Sequence, residues 1–290
     1  MSAGPCGARE EIGLLSESAH ARKAGMNQLG KEYELGQGNS SGVEDAVDAV
    51  AVEEPLQITV DGTPVAVVMR TPGADRDLVS GFLLSEGLVD SLNQVVNIDL
   101  ERQLNHAYVF LADDVVLDHH RLSRNLFSAS SCGICGKASI EAIHCQAPAM
   151  DSDLVVPIEV LLALPERMRE AQAGFEHTGG LHAAALFSVE GDLLVLREDV
   201  GRHNAIDKVI GAAVAGGIDL SRTLVQVSGR VSFEVMQKAL VARVPVVSAI
   251  SAPSSLAVDF ARESGQVLVG FLRPPHFNVY AGRERVKCGT

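Results

Sequence analysis

The chain has no tryptophan, 3 tyrosines and 9 phenylalanines, so aromatic residues make up only 4% of it. Cationic side chains are scarce as well: 24 Lys and Arg stand against 37 Asp and Glu, a formal charge of −13. Such a chain repels a phosphate backbone and has few rings to stack on bases, which excludes nucleic acid as a partner. Also missing is a long apolar run. No stretch approaches the roughly 18 apolar residues of a membrane span, and the most apolar one, residues 154–165, is broken by Pro157 and Glu159. Residues 1–30 contain Glu10 and Glu11 and no apolar core of signal-peptide length. The expectation is a cytoplasmic protein without membrane contact.

What is present suits a globular chain. Hydrophobic residues fill 47% of the 290 positions and charged residues 21%, enough for a sizeable core. At roughly 100–200 residues per domain, the length suits one large or two ordinary domains. Residues 1–50 mix Gly, Ser, Ala and charges without a sustained period, which predicts a disordered tail, mobile to about residue 43. An N-terminal α+β subdomain is expected over residues 51–130. Its apolar runs 56–60 and 64–69 flank Asp61-Gly62, a hairpin turn dipeptide. Leu78, Val79, Phe82 and Leu83 then recur at helical spacing, with Gly87 placed to stop the helix. Residues 105–111 and 115–117 read as further short strands.

The second half alternates. Residues 224–228, 244–250 and 267–272 are β-rich and apolar, and between them residues 232–242 and 254–263 carry helical patterns. Crossovers of that length imply parallel neighbours in one sheet, covered on both faces. Ligands of such sheets sit outside the carboxyl ends of the strands. Those ends carry Ser228-Gly229-Arg230, Ser251-Ala252-Pro253-Ser254 and Phe271-Leu272-Arg273.

Five cysteines are an odd count, and in a reducing compartment a thiol pair points to catalysis or metal binding before a structural disulfide. Ser131-Cys132-Gly133-Ile134-Cys135-Gly136-Lys137 sets two thiols three positions apart, ahead of a helical pattern at residues 138–144. A helix N-terminus and Lys137 both favour the nucleophilic thiolate. Four readings compete: a structural zinc site, a thioredoxin-like dithiol, two inert thiols, and a sulfur-carrying or acyl-accepting nucleophile. Zinc needs about four ligands, and His144 and Cys145, adjacent in the chain, are poorly placed to share one ion. A dithiol enzyme would carry the pair after the first strand of a small βαβ domain, not after a mostly β region.

The pair is followed by Thr178-Gly179-Gly180-Leu181-His182, then by Arg197-Glu198-Asp199-Val200-Gly201-Arg202-His203-Asn204-Ala205-Ile206-Asp207-Lys208, Ser228-Gly229-Arg230 and Gly270-Phe271-Leu272-Arg273. In that order these motifs resemble the formate dehydrogenase accessory sulfurtransferase family, over about residues 55–285. The resemblance implies an α/β protein with a smaller, mostly β N-terminal subdomain and a cytidine-deaminase-like C-terminal domain over residues 131–290, including the sulfur loop. It implies a homodimeric sulfurtransferase with a cysteine persulfide intermediate. The sulfur donor would be a cysteine desulfurase, and the acceptor the molybdenum bis(molybdopterin guanine dinucleotide) cofactor destined for formate dehydrogenase. Cys132 would carry the persulfide, and Cys135 would share the sulfur, resolve the persulfide or tune its neighbour. The guanine-nucleotide contact would fall on Phe271, Leu272, Arg273, Pro274, Pro275 and His276, with Arg273 on pyrophosphate and Phe271 on a base. Phe271 reads equally as a core residue of its strand. Pro275 brings no backbone donor to that turn. The resemblance leaves open whether the metal is Mo or W.

Other classes remain beside this one: a cofactor-binding chaperone without chemistry, and a dithiol oxidoreductase. Zinc deamination is disfavoured, since none of the 9 histidines has Glu two positions later and the Cys pair lacks a preceding Pro; no metal site is expected. Arg202 and His203 are either ligand contacts or part of a helix start. His182 reads more readily as a satisfied core residue than as an acid or base. Ser228-Gly229-Arg230 is either an anion-binding turn or a plain one.

Overall fold

A computed structural model describes residues 29–115 and 147–288. Cys132, Cys135, Cys6, Cys145 and the helix expected at 138–144 lie outside the described residues. Cys288 is exposed near the carboxyl terminus.

The described chain opens with β1 (Gly30–Asn39) and β2 (Gly42–Ala51), an antiparallel ribbon in continuous register from Gly30↔Ala51 to Asn39↔Gly42. This corrects the expected tail over its last 22 positions. The ribbon is exposed on both faces, with Tyr33, Val43 and Val47 in solvent, so its strands lack the apolar alternation by which a strand is read. Its base is held where Val52 N–H donates to the Leu29 carbonyl at 2.9 Å.

β3 (Glu54–Val60) and β4 (Thr63–Arg70) turn at Asp61-Gly62, both left-handed as that hairpin requires. α1 (Asp75–Ser85) follows, then β5 (Val95–Asp99) and β6 (His106–Leu111). The sheet order is β4-β3-β6-β5, with β3 and β6 parallel. Leu78, Val79, Phe82 and Leu83 of α1 bury themselves against Leu56, Ile58, Val60, Ala107 and Val109. Val115 belongs to no strand, and residues 116–117 lie outside the described residues.

The larger sheet is built from β8 (His182–Ser188), β9 (Leu193–Asp199), β10 (Thr223–Val227), β11 (Val246–Ala249), β12 (Val267–Arg273) and β13 (His276–Ala281). Its order is β13-β12-β11-β10-β8-β9; β10, β11 and β12 are parallel, and β8, β9 and β13 run antiparallel to their neighbours. The expected strand–helix–strand–helix–strand unit is therefore its centre, and the chain is mixed α/β. Alternate residues serve opposite faces. Val225, Val247 and Leu268 pack under α4 (Arg202–Ala215), α5 (Phe233–Val241) and α6 (Ser255–Ser264). Leu224, Val246, Val267 and Val269 pack against Leu161, Leu164 and Met168 of α2 (Ile158–Ala171). The short helix α3 (Ala173–Thr178) leads into β8, and β7 (Val156–Pro157) pairs with β14 (Val286–Lys287). No helix among the described residues is long and apolar enough to cross a membrane.

Candidate functional site at the carboxyl edge of the larger sheet

The sheet topology brings the later motifs to one edge. The carboxyl ends of β10, β11 and β12 lie side by side, and the start of β8 and the end of β9 join them because His182 pairs with Asp199 and Val227 with Ala184. Residues 182, 199–203, 228–230, 250–254 and 271–276 thus share this edge.

At β12 the edge is irregular. The ladder to β13 shifts between Gly270 and Arg273, and Phe271 has φ of 50°, a left-handed backbone on an aromatic residue. Its N–H donates to the Ser251 carbonyl at 3.1 Å, and 41% of the residue is exposed. Phe271 is therefore not a core residue. Strained backbone of this kind persists where the surroundings enforce it, commonly at ligand clamps. Leu272 is fully buried, and Arg273 reaches back to donate from Nε to the Ile250 carbonyl at 3.1 Å while remaining exposed. Pro274 and Pro275 form an exposed turn, with exposed His276 opening β13, and the Pro274–Pro275 peptide is cis. The six nucleotide-contact candidates are thus contiguous, with five side chains exposed and Leu272 turned to the core.

The motif at 197–208 has a different task. Asp199, fully buried, accepts from Thr71 N–H at 3.1 Å, Gly201 N–H at 2.8 Å and Asn204 Nδ2 at 2.9 Å, and pairs with Lys208 Nζ at 2.7 Å. Lys208 also donates to the Thr71 carbonyl at 2.8 Å, and Asn204 Nδ2 to the Met69 carbonyl at 2.7 Å. Arg197 binds Asp77 at 2.9 Å, and Asp207 accepts from Ser85 Oγ at 2.6 Å. Met69 at the end of β4, Thr71 just beyond it, and Asp77 and Ser85 on α1 all belong to the smaller unit, so the motif joins the two sheets. Glu198 accepts from the amides of Gly174 and Phe175 at 2.7 Å each. Reading the sequence alone missed this role.

Arg202 and His203 remain. His203 Nε2 lies 3.1 Å from Glu234 Oε2 and 3.2 Å from Ser232 Oγ. Both contacts fall on the same ring nitrogen, so the three do not form a relay in which a carboxylate orients one nitrogen and a hydroxyl meets the other. Burial first, then the Arg202 and Lys238 charges, lower His203 to about 3. Folded, the ring stays neutral; unfolded, it protonates below its ordinary value of 6.5. The unfolded state then binds more protons, so stability is lost as pH falls below 6.5 toward 3. His203→Gln should remove that part of the slope, about 2 kcal/mol between about pH 7 and pH 5. Urea denaturation of both proteins at the two pH values measures it; parallel slopes would show that His203 protonates normally in the fold.

Fold and edge together define a mixed α/β protein with a rim of exposed residues, a candidate ligand site, outside the carboxyl ends of its parallel strands. The chain belongs to the FdhD/NarQ family, whose model matches residues 51–287. It is 50% identical over 251 residues to the sulfur carrier protein FdhD of Streptomyces avermitilis, covering 82% of this chain and 89% of the relative. The sulfur carrier protein FdhD of Mycobacterium tuberculosis is 47% identical over 254 residues, covering 82% and 92%. Among solved structures, a protein from Desulfotalea psychrophila described as a formate dehydrogenase accessory protein shares the fold. Its TM-score is 0.74 at 23% identity, over 89% of this chain and 100% of that one.

Proposed function

We propose that this chain is a sulfurtransferase in formate dehydrogenase maturation. It takes sulfur from a cysteine desulfurase and passes it to the molybdenum bis(molybdopterin guanine dinucleotide) cofactor, bound as acceptor substrate. The observation that carries the reading is the Cys132-Gly133-Ile134-Cys135 pair in a chain that is about half identical to named sulfur carriers. The rim supports it: Phe271 offers an exposed ring on a strained backbone, and Arg273 an exposed guanidinium two residues on. A ring and a planar fork at that spacing suit a base and its pyrophosphate. The homodimer and the cytoplasmic setting belong to the same proposal.

The chemistry balances without an outside redox partner at its first step. The Cys132 thiolate attacks the outer sulfur of the donor's persulfide, the donor's S–S bond breaks, and the donor leaves as thiolate while Cys132 holds the persulfide. Cys135 is available to resolve it: attack on the inner sulfur expels hydrosulfide and leaves a Cys132–Cys135 disulfide. That second step moves the sulfur to the sulfide level at the expense of the two thiols.

Incubation with a cysteine desulfurase and cysteine, followed by mass spectrometry, tests the reading. One added sulfur atom is expected on the peptide bearing Cys132, removable by a thiol reductant and absent from Cys132→Ala. Formate dehydrogenase activation should vanish with that substitution. An unmodified peptide, or a Cys132→Ala protein that still activates the enzyme, sinks the proposal.

A further inference from the structure

Two guanidinium groups on the rim take no part in joining the sheets. Arg202 opens α4 just beyond Gly201, and Arg230 ends the turn after β10. Both bear on His182 between them: burial, then Arg202, and more weakly Arg230, hold its pKa below the ordinary imidazole value, against the opposing charge of Asp199. Among the described residues neither arginine has a carboxylate within ion-pair distance. Arg202 Nε is buried and has no hydrogen-bond partner there. Asp199, the carboxylate that acts on His182, is already engaged by Lys208 at 2.7 Å. A buried donor left unpaired is costly, and two guanidinium charges without a counter-ion add to that cost. An anion between them removes both.

The backbone of the turn completes the arrangement. Ser228 N–H is spent on the Ala183 carbonyl and Val231 N–H on the Ala252 carbonyl, whereas the amides of Gly229 and Arg230 have no partner among the described residues. A Cβ on Gly229 would stand 3.3 Å from His182 Nδ1 and 3.8 Å from the Arg202 Cβ, so the turn passes close to both residues only because position 229 is bare. The first turn of α4 likewise has no side-chain cap.

We propose that Arg202, Arg230 and the Gly229-Arg230 amides form an anion subsite for a phosphoryl or pyrophosphoryl group, separate from Arg273. β11 lies between β10 and β12, so the two strand ends are roughly 10 Å apart at ~4.8 Å per strand. A ligand with two phosphate-bearing arms can engage both places. The subsite rests on the proposed function only for the identity of that ligand as a guanine nucleotide; its anion chemistry stands on the residues alone.

Titration calorimetry of the full chain with inorganic pyrophosphate and with guanosine diphosphate tests it. Pyrophosphate should bind the wild-type protein and lose about tenfold or more in affinity in Arg230→Gln and in Arg202→Gln. Arg222→Gln, at the opposite end of β10, serves as the charge control and should leave affinity unchanged. Arg230 is exposed, so Arg230→Gln decides the matter if Arg202→Gln lowers the melting temperature. Tighter binding of guanosine diphosphate than of pyrophosphate, with the same dependence on Arg230, identifies the occupant as a nucleotide. No pyrophosphate binding by the wild type, equal affinity in Arg230→Gln, or a loss confined to Arg273→Gln overturns the subsite. Cys132→Ala should bind pyrophosphate normally, so failure of the sulfur-carrier reading and failure of the subsite give different patterns.

Discussion

Lys238→Met is expected to lower the free energy of unfolding by about 3–5 kcal/mol, as removal of one partner from a buried ion pair does. Lys238 on α5 donates to Glu86 Oε1 at 2.7 Å, to Ser85 Oγ at 2.9 Å and to both Asp207 oxygens at 3.0 Å, and its side chain is 6% exposed. The ammonium thus sits where α1, α4 and α5 meet, and burial is tolerated because three groups share its charge. Once it is gone, Asp207 keeps only the Ser85 hydroxyl from this cluster. Burial already raises the Asp207 carboxyl above its ordinary value, and Lys238 is the main influence holding it down. Without Lys238 the folded state therefore binds a proton that the unfolded state has released, and stability falls as pH rises. The deficit of Lys238→Met should be larger at about pH 8 than at about pH 5. Lys238→Met combined with Asp207→Asn should recover much of it, since no buried charge is then left alone at that position. Urea denaturation of the single and double variants at both pH values measures this; a deficit below about 1 kcal/mol, or one independent of pH, would show that the cluster is solvated.

The parallel centre of the larger sheet was legible because its strands are buried on both faces and its helices on one, the two cases in which composition and period report directly on burial. Residues 224–227, 246–249 and 267–272 could be read from their apolar runs alone. Of the strands missed, β8 is buried on both faces but carries three alanines directly after His182, which have little strand preference, and others have mixed surroundings. β9 has Leu193 and Leu194 partly in solvent beside a buried Asp199, and the β1–β2 ribbon has no buried face. Period two describes a strand between a core and water, and neither of these lies in that position.

The rim was legible in outline and not in assignment. Strand ends of a parallel unit are a topological property, and Arg273, Ser228-Gly229-Arg230 and His182 did come together there. Within the motif at 197–208 only Arg202 and His203 read as ligand contacts or a helix start, and both open α4; most of the other charged positions join the two sheets. Charged residues at the start of a helix look alike whether they face a ligand, solvent or another sheet, and the partner that decides for Asp199 is Thr71, 128 positions away. Phe271 was open between core and rim; its left-handed backbone, which follows from a bulge against β13, turns it outward.

Gly211→Ala and Gly81→Ala should each destabilise the protein by about 3 kcal/mol or more, against the sign that helix propensity alone gives. Alanine is favoured over glycine inside a helix by about 1 kcal/mol, and Gly81 in α1 and Gly211 in α4 are both interior. These two helices cross at those residues. A Cβ on Gly81 would overlap the Asp207 carbonyl, and one on Gly211 would overlap the Asp77 carbonyl. Both obstacles are backbone atoms, which no rotamer change can move aside. Relief requires the helices to separate, and separation pulls on everything fixed at the same crossing. Ser85–Asp207, Arg197–Asp77 and Lys208–Thr71 span 2.6, 2.9 and 2.8 Å, lengths at which a shift of one ångström breaks a hydrogen bond. Overpacking of this kind costs roughly 1–3 kcal/mol where side chains yield, and more is expected where they cannot and buried charges lose partners together. Chemical denaturation of the single variants measures the cost, and the double variant should be less than additive, because one separation of the helices relieves both overlaps. A neutral or stabilising Gly211→Ala would mean that α1 and α4 are not in backbone contact in solution, and the joint between the two sheets would then rest on the charged motif alone.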